Sequence, residues 1–278
     1  MPFYFLALAP SESWEILLHR ILWSLMLCGG VLLATRQLAG LVAVLREPRQ
    51  LAGVTVAGLL IAANWTIYLV AVTTGHVTEA ALGYFLNPLV SVALGLLVLR
   101  ESLRPGQAVA VAIGAAGGIF LAIESGRVPW IALGLALSFG SYGLVKKRLG
   151  VRLSALQSLT AETAVLAPVA AVLMTWLVLS DRTTFGDHGI GHAALLASTG
   201  IVTAVPLLLF AASARRVTLV TIGLLQFLTP ILQFASGLAL GEHMSTGRWI
   251  GFSIVWLALV VLVVDTTRRS MTKRPGRP

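Results

Sequence analysis

The stretch VTEAALGYFLNPLVSVALGLLVL at residues 77–99 shows most directly which fold this chain adopts. It is almost continuously apolar, and Glu79 is its one charged residue. At about 1.5 Å of rise per residue, an α-helix of this length crosses a hydrocarbon core of about 30 Å. Because the bilayer interior holds no water, a spanning backbone must satisfy its own hydrogen bonds, as a helix does. The stretch therefore predicts a transmembrane helix.

Similar apolar runs recur along the whole chain. Of its 278 residues, 57% are hydrophobic and 11% are charged, and the mean hydropathy of +0.90 is too high for an ordinary soluble domain. Nine runs are long enough to span a bilayer: 14–35, 51–74, 77–99, 106–124, 129–146, 155–180, 191–214, 217–240 and 247–265. They are continuous in polarity rather than alternating, which favours helices. The sequence therefore predicts an all-α membrane protein, a polytopic helical bundle without room for a soluble domain.

The basic residues indicate how the bundle is oriented. Of the twenty Lys and Arg residues, 16 fall on one predicted side of the membrane, 3 on the other, and the last is Arg20 within a span. The positive-inside rule then predicts that the start of the chain is outside and the C-terminus is in the cytoplasm. The predicted location is the plasma (inner) membrane. Because topology explains the net charge of +9, we predict no nucleic-acid partner. The basic tail at 267–278 suits anionic lipid headgroups.

Two pairs of segments repeat along the chain. AVTTGHVTEAALG (71–83) and AASARRVTLVTIG (211–223) share Ala, Val, Thr and Gly at an offset of 140 residues. NPLVSVALGLLVLRE (87–101) and TPILQFASGLALGE (229–242) share a proline within the helix and a glutamate at its end. The chain is therefore predicted to contain two copies of one helical unit.

The two copies are predicted to be inverted. Glu101 falls on the basic side of the membrane and Glu242 on the sparse side, which is typical of the inverted repeats of secondary transporters. The boundaries are a first repeat at 1–124, a second repeat at 125–266, and the tail. The second repeat has five spans and the first has four spans after a short stub, so we predict two inverted repeats of five helices with the first helix missing.

Several stretches resemble one family of transporters. They are EILLHRILWS (15–24), NWTIYLVAV (64–72), EAALGYFLNPLVSVALG (79–95) and VPLLLFAASARR (205–216), and the chain is similar to the RarD group of EamA-type proteins in the drug/metabolite transporter superfamily. The resemblance covers almost the entire chain and implies ten helices in two inverted repeats. It also implies export of a metabolite or drug. The chain departs from that pattern in lacking the first helix.

The stretch EILLHRILWS places three ionisable residues within one span. His19 and Arg20 lie about 9–11 Å from the predicted outer face, where an arginine costs about 2.5 kcal/mol or more unless it meets a partner or a wet cavity. Glu15 and His19 share a helix face with Trp23. An intramembrane charge of this kind indicates a functional site, and the alternative is an interfacial anchor with Arg20 extended to the headgroups.

Glu162 is the predicted partner of this group. It lies about eight residues into a helix that starts from the opposite face, again near the midplane. We therefore expect Arg20 or His19 to face Glu162. The pair either holds the two halves of the bundle together or takes part in binding substrate or protons.

Other predicted pathway residues are polar or aromatic residues in the middle of spans: Asn64, Trp65, Tyr68, Tyr84, Asn87 and Gln226. The alternative role of Asn64 and Asn87 is hydrogen bonding between helices. Four prolines remove a backbone donor within a span and are candidate helix bends, as gates or as static kinks: Pro88, Pro168, Pro206 and Pro230.

The sequence favours a secondary transporter, a permease or exporter of small organic metabolites or drugs, working by alternating access around a polar cavity at the midplane. No Walker-type loop and no pair of cysteines is present, so we predict neither ATP-driven transport, nor a metal, nor a cofactor. The predicted partners are a small-molecule substrate and the lipid bilayer; proton coupling through Glu162 or His19 and a homodimer are left open. We predict that the chain is not an enzyme. The alternatives are an intramembrane enzyme that uses Glu162 and His19, and a non-transporting membrane scaffold.

Overall fold

The computed structural model of the chain describes residues 2–74, 76–124, 128–229, 232 and 246–272. Within these residues all regular structure is α-helical, without a strand. The helices are α1 (Pro2–Ala7), α2 (Ser13–Ala34), α3 (Leu38–Arg46), α4 (Pro48–Thr73), α5 (Val77–Leu99), α6 (Pro105–Glu124), α7 (Trp130–Leu149), α8 (Ala155–Leu179), α9 (Gly189–Arg216), α10 (Leu219–Gln226) and α11 (Thr246–Thr272). The predicted all-helical fold is therefore confirmed.

Six of the helices in the described residues are long and apolar enough to cross a membrane: α2, α4, α5, α6, α8 and α9. α11 carries a shorter apolar stretch, Trp249–Asp265. The ends of the helices agree with most predicted spans to within a few residues, although the predicted span 217–240 is described only at residues 217–229 and 232. The short helices α1 and α3 are additions that the apolar pattern did not indicate.

Local sequence explains where several helices begin. Pro48 and Pro105 occupy the first positions of α4 and α6, where a proline loses no intrahelical hydrogen bond. α8 starts with a capping box: the Ser154 hydroxyl accepts from the Gln157 amide, and the Gln157 side chain accepts from the Ser154 amide, both at 3.1 Å. These signals set where α4, α6 and α8 begin, independently of the apolar residues that follow.

The chain folds into two compact units, and neither is a continuous half of the sequence. Unit 1 comprises residues 1–69 and 145–216, and unit 2 comprises residues 70–144 and 217–278. Each unit therefore contains helices from both predicted repeats, and the chain passes from one unit to the other within α4 and α7.

In unit 1, α2 packs against both α8 and α9. Leu18 and Ile21 of α2 form a buried cluster with Leu166, Ala170 and Leu177 of α8. In a bilayer such close van der Waals packing, rather than exclusion from water, holds helices together. This packing fixes the face of α2 that carries the ionisable residues.

In unit 2, α5 packs against α6 and α10, and α6 packs against α11. Phe85 and Val92 of α5 share a buried cluster with Leu224 of α10. A Cβ atom at Gly223 would lie 2.9 Å from the carbonyl oxygen of Pro88, so glycine is what allows α10 to approach α5 this closely.

Glu101 stabilises the start of α10, and its loss has a measurable effect. Its two carboxylate oxygens accept from the backbone amides of Leu219 at 2.9 Å and Val220 at 2.8 Å, which have no partner within α10. We expect Glu101→Ala to lower the free energy of unfolding by about 1–3 kcal/mol. Unfolding of the purified protein by a denaturing detergent measures the loss, and Glu47→Ala, at an exposed ion pair, is the control with an effect below about 1 kcal/mol.

Candidate functional site

Arg20 lies in unit 1 among three helices. Its Nε donates to the Thr203 hydroxyl on α9 at 2.9 Å, and its guanidinium carbon lies 4.4 Å from the ring centroid of Trp65 on α4. The ring of Phe5 on α1 is 5.7 Å away. Guanidinium groups stack well on aromatic faces because they are planar and weakly hydrated. Two of the predicted pathway residues, Arg20 and Trp65, are thus in direct contact. The Thr203 hydroxyl, which also binds Arg20, was not among the predicted residues.

The contacts of Arg20 on α9 and α4 are with residues away from the helix ends. Thr203 is near the middle of α9, and Trp65 is in the last third of α4. A side chain extended to the headgroups would instead meet residues at helix ends. Whether Arg20 serves the pathway or is an interfacial anchor stays a prediction.

His19 and Trp23 form a second polar contact on α2. The Trp23 indole Nε1 donates to His19 Nδ1 at 3.1 Å, so Nδ1 acts as an acceptor and the proton of a neutral ring lies on Nε2. His19 is buried, and within the described part of the chain its Nε2 has no hydrogen-bond partner. The nearest Glu15 oxygen is 3.8 Å away, which is too long for a hydrogen bond.

Glu15 is fully buried and binds the connection between α8 and α9. Its carboxylate accepts from the Thr183 hydroxyl at 2.7 Å, from the amide and the hydroxyl of Thr184 at 2.7 and 2.9 Å, and from the Phe185 amide at 3.2 Å. Four donors satisfy this buried charge. Glu15 thus holds residues 183–185 in place, a contact between segments far apart in sequence that no spacing pattern predicted.

Glu162 is held by residues that we did not predict. Its Oε1 accepts from Lys146 Nζ and from the Ser158 hydroxyl, both at 2.6 Å, and Lys146 also donates to Ser158 at 2.9 Å. Lys146 and Glu162 are 2% and 1% exposed, so this is a buried ion pair. Lys146 is the last residue of the predicted span 129–146, and it lies inside α7, which continues to Leu149.

The depth of Glu162 explains why its partner differs from the one we expected. Leu159, on the turn of α8 before Glu162, packs against Cys28. Cys28 lies eight residues, or about 12 Å, further along α2 than Arg20. Glu162 is thus level with the second half of α2, rather than with His19 or Arg20.

Unit 1 also contains an apolar groove of about 540 Å³ between α2, α4 and α8. Leu17 and Ile21 of α2 and Leu173 and Leu177 of α8 are among its walls. Arg182 and Glu12, an ion pair at 3.2 Å, lie at its rim. No sequence pattern predicts this groove, because the apolar residues in its walls belong to the same helix faces that pack against other helices.

Comparison with known proteins identifies the family, although no protein-family model matches the chain. The chain is 48% identical over 275 residues to protein RarD of Streptomyces exfoliatus, covering 99% of this chain and 87% of that protein. It belongs to the RarD family. The uncharacterized transporter YojE of Bacillus subtilis is 40% identical over 272 residues, covering 96% of this chain and 90% of YojE. The chloramphenicol-sensitive protein RarD of Pseudomonas aeruginosa is 30% identical over 273 residues, with coverage of 96% and 90%. The resemblance noted in the sequence is confirmed.

The fold of this RarD-family protein is also found in a solved structure. One crystal structure shares 16% sequence identity with a TM-score of 0.71, covering 96% of this chain and 92% of the other. At that identity the likeness shows the fold alone.

The remaining predicted residues of this RarD protein are divided between the two units. Asn64 and Tyr68 are half-buried on the part of α4 in unit 1. In unit 2, the Gln226 side chain accepts from the Ser91 hydroxyl at 3.2 Å, Tyr84 is half-buried, and Asn87 is buried. The Asn87 Oδ1 has no hydrogen-bond partner among the described residues. Whether Tyr84, Asn87 and Gln226 act with the residues of unit 1 stays a prediction.

The candidate bends lie within helices. Pro88 is inside α5, Pro168 inside α8 and Pro206 inside α9. Pro230 lies outside the described residues. Within those residues no group of three or more His, Cys, Asp and Glu side chains is arranged to hold a metal ion.

Proposed function

We propose that this RarD-family chain is a secondary transporter that moves small organic metabolites or drugs across the plasma (inner) membrane. The observation that supports this most strongly is Arg20, a charge within the helices that is held by Trp65 and Thr203. Ionisable residues at membrane depth are rare and mark substrate or ion pathways by default. The printed name of the relative YojE, an uncharacterized transporter, agrees with this function.

We propose alternating access between two inverted repeats at 1–124 and 125–266 as the mechanism. The repeated segments and the alternation of basic connections support it, and the same alternation of basic connections supports a cytoplasmic tail at 267–278. In this proposal the nine predicted spans surround a midplane cavity. Arg20 and Trp65 would contribute a charge and an aromatic wall to that cavity.

Substitution of Arg20 tests the function directly. We expect Arg20→Gln to slow solute transport by about 10- to 100-fold, because a hydrogen bond to a charged group contributes about 1.5–3 kcal/mol. The measurement is uptake of a panel of labelled solutes, chloramphenicol included, by liposomes containing the purified protein. Arg152→Gln is the matched control, since Arg152 is an exposed arginine paired with Glu47, and it should transport at the parent rate.

The same assay separates the alternatives. Solute recovered unchanged inside the liposomes supports a transporter, whereas conversion of the solute without any gradient would support an intramembrane enzyme. Equal uptake by parent protein and empty liposomes for the whole panel would favour a scaffold. Equal transport by Arg20→Gln and the parent protein would remove Arg20 from the pathway.

We propose further that Glu162 couples transport to a pH gradient. Its buried pairing with Lys146 supports this, because a carboxylate whose partner is an ammonium group inside the membrane is a typical proton-exchanging arrangement. Glu162→Gln would then abolish the stimulation of uptake by a pH gradient while leaving exchange of labelled for unlabelled solute. Loss of both activities would instead indicate a structural role.

A further inference from the structure

We infer that residues 183–185 form a lid at one end of the transport pathway, and that Glu15 is the latch that holds this lid closed. The inference rests on the proposed transport function and concerns how access to the site of Arg20 is controlled. The segment 183–185 lies in the connection between α8 and α9. Every residue used in the argument belongs to unit 1.

Phe185 is the part of the lid that covers the pathway residues. Its ring centroid lies 5.0 Å from that of His19, with an angle of 32° between the planes, and 6.4 Å from that of Trp23. The ring is 40% exposed, so one side covers His19 and Trp23 while the other is open. Beneath it lies the buried His19 Nε2, which has no hydrogen-bond partner among the described residues. Displacement of Phe185 would uncover this donor at the residue next to Arg20.

Glu15 anchors the backbone of the lid. The amides of Thr184 and Phe185 both donate to the same carboxylate oxygen, at 2.7 and 3.2 Å. Two threonine hydroxyls add hydrogen bonds at 2.7 and 2.9 Å. An irregular segment has no hydrogen-bond ladder of its own, so its position depends on these side-chain acceptors. One buried carboxylate on α2 therefore determines whether the segment lies over His19.

Thr184 ties the lid to a second set of residues. Its hydroxyl lies 2.6 Å from the Ser11 hydroxyl, just before α2, and 3.1 Å from His192 Nε2 in the first turn of α9. Ser11 and His192 are themselves 2.9 Å apart. These contacts involve no carboxylate and are weaker than the hydrogen bonds to Glu15. Glu15 therefore contributes most to holding the lid in place.

The lid interpretation predicts that a covalent lock stops transport. The Ser11 and Thr184 hydroxyls are in hydrogen-bond contact, so cysteines at both positions are close enough to form a disulfide without large backbone movement. Cys28 is the chain's single cysteine and is buried, so Cys28→Ala provides the parent background. In that background, oxidation of Ser11→Cys/Thr184→Cys should lower solute transport at least 10-fold, and reduction should restore it.

Two controls keep this test specific. The single variants Ser11→Cys and Thr184→Cys should transport equally well before and after oxidation. Transport by the reduced double variant is the reference for the oxidised form, so the loss of the two hydroxyl contacts does not enter the comparison. Unchanged transport after a disulfide has been verified by mass spectrometry would overturn the lid and leave the transport function standing. If no solute is transported even by the parent, the function and the lid fail together.

The latch has its own readout, independent of transport. In Glu15→Ala, hydrogen exchange at the amides of Thr184 and Phe185 should be at least 10-fold faster than in the parent. Amides in the middle of α9 should exchange at the parent rate, which would show that the variant is folded. Unchanged exchange at Thr184 and Phe185 would show that Glu15 does not hold the segment and would overturn the proposal.

Discussion

Replacing Lys146 by methionine is expected to lower the free energy of unfolding by about 3–5 kcal/mol, because it leaves the buried Glu162 carboxylate without its cation. Lys146 Nζ lies 2.6 Å from Glu162 Oε1, and Ser158 is hydrogen-bonded to both side chains. Methionine has nearly the length of lysine, so the variant removes the charge with little change in packing. Unfolding of the purified protein in mixed micelles by a denaturing detergent measures the loss.

Removal of both charges distinguishes an ion pair from two unrelated residues. We expect Glu162→Gln alone to be destabilising too, and Lys146→Met/Glu162→Gln to recover a large part of the loss, since no uncompensated charge then remains. Arg152→Gln at the exposed pair with Glu47 is the surface control, with an effect below about 1 kcal/mol. If Lys146→Met lies within 1 kcal/mol of the parent, the pair does not stabilise the fold.

Substitution of Gly200 by alanine is expected to cost about 1–3 kcal/mol and to slow transport as well. A Cβ atom at Gly200 would lie 2.6 Å from the carbonyl carbon of Trp23 and 2.7 Å from its carbonyl oxygen. These are backbone atoms, so the clash is relieved only if α2 and α9 move apart. Such a movement would lengthen the hydrogen bond from Arg20 to Thr203, which joins the same two helices.

Gly30 provides the matched control for Gly200. It lies on α2, and a Cβ atom there would meet nothing within 4 Å. Gly30→Ala should therefore leave transport unchanged and raise the stability by up to about 1 kcal/mol, because alanine is the better helix former. If Gly200→Ala and Gly30→Ala have the same effect on stability and on transport, close approach of α2 and α9 does not position Arg20.

The long helices could be predicted from the sequence because each one has its own apolar run, and α4, α6 and α8 also start with a proline or a capping box. Arg20 and Trp65 could each be singled out because they are a charged and an aromatic residue inside apolar runs. Their contact with each other was not predicted. The family could be recognised from the same stretches.

The partners of the acidic residues could not be predicted in this way. Rise per residue gives the depth of Glu162 from one end of its own helix, but not its register against α2, which depends on packing such as that of Leu159 on Cys28. Lys146 ends the predicted span 129–146 and is followed directly by other basic residues, so nothing in the sequence indicates that it is buried. The attachment of residues 183–185 to Glu15 depends on an irregular backbone, for which hydropathy carries no information.

The contacts between α2 and α9 determine which motions these two helices allow. Gly200 lies against the backbone of Trp23, and the Ser24 hydroxyl donates to the Gly200 carbonyl oxygen at 3.3 Å. Sliding of one helix along the other would force side chains through this contact, which therefore disfavours shear between α2 and α9. Pro206 lies one turn beyond Thr203 in α9. A hinge at Pro206 would swing the remainder of α9 and leave the two helices docked around Arg20.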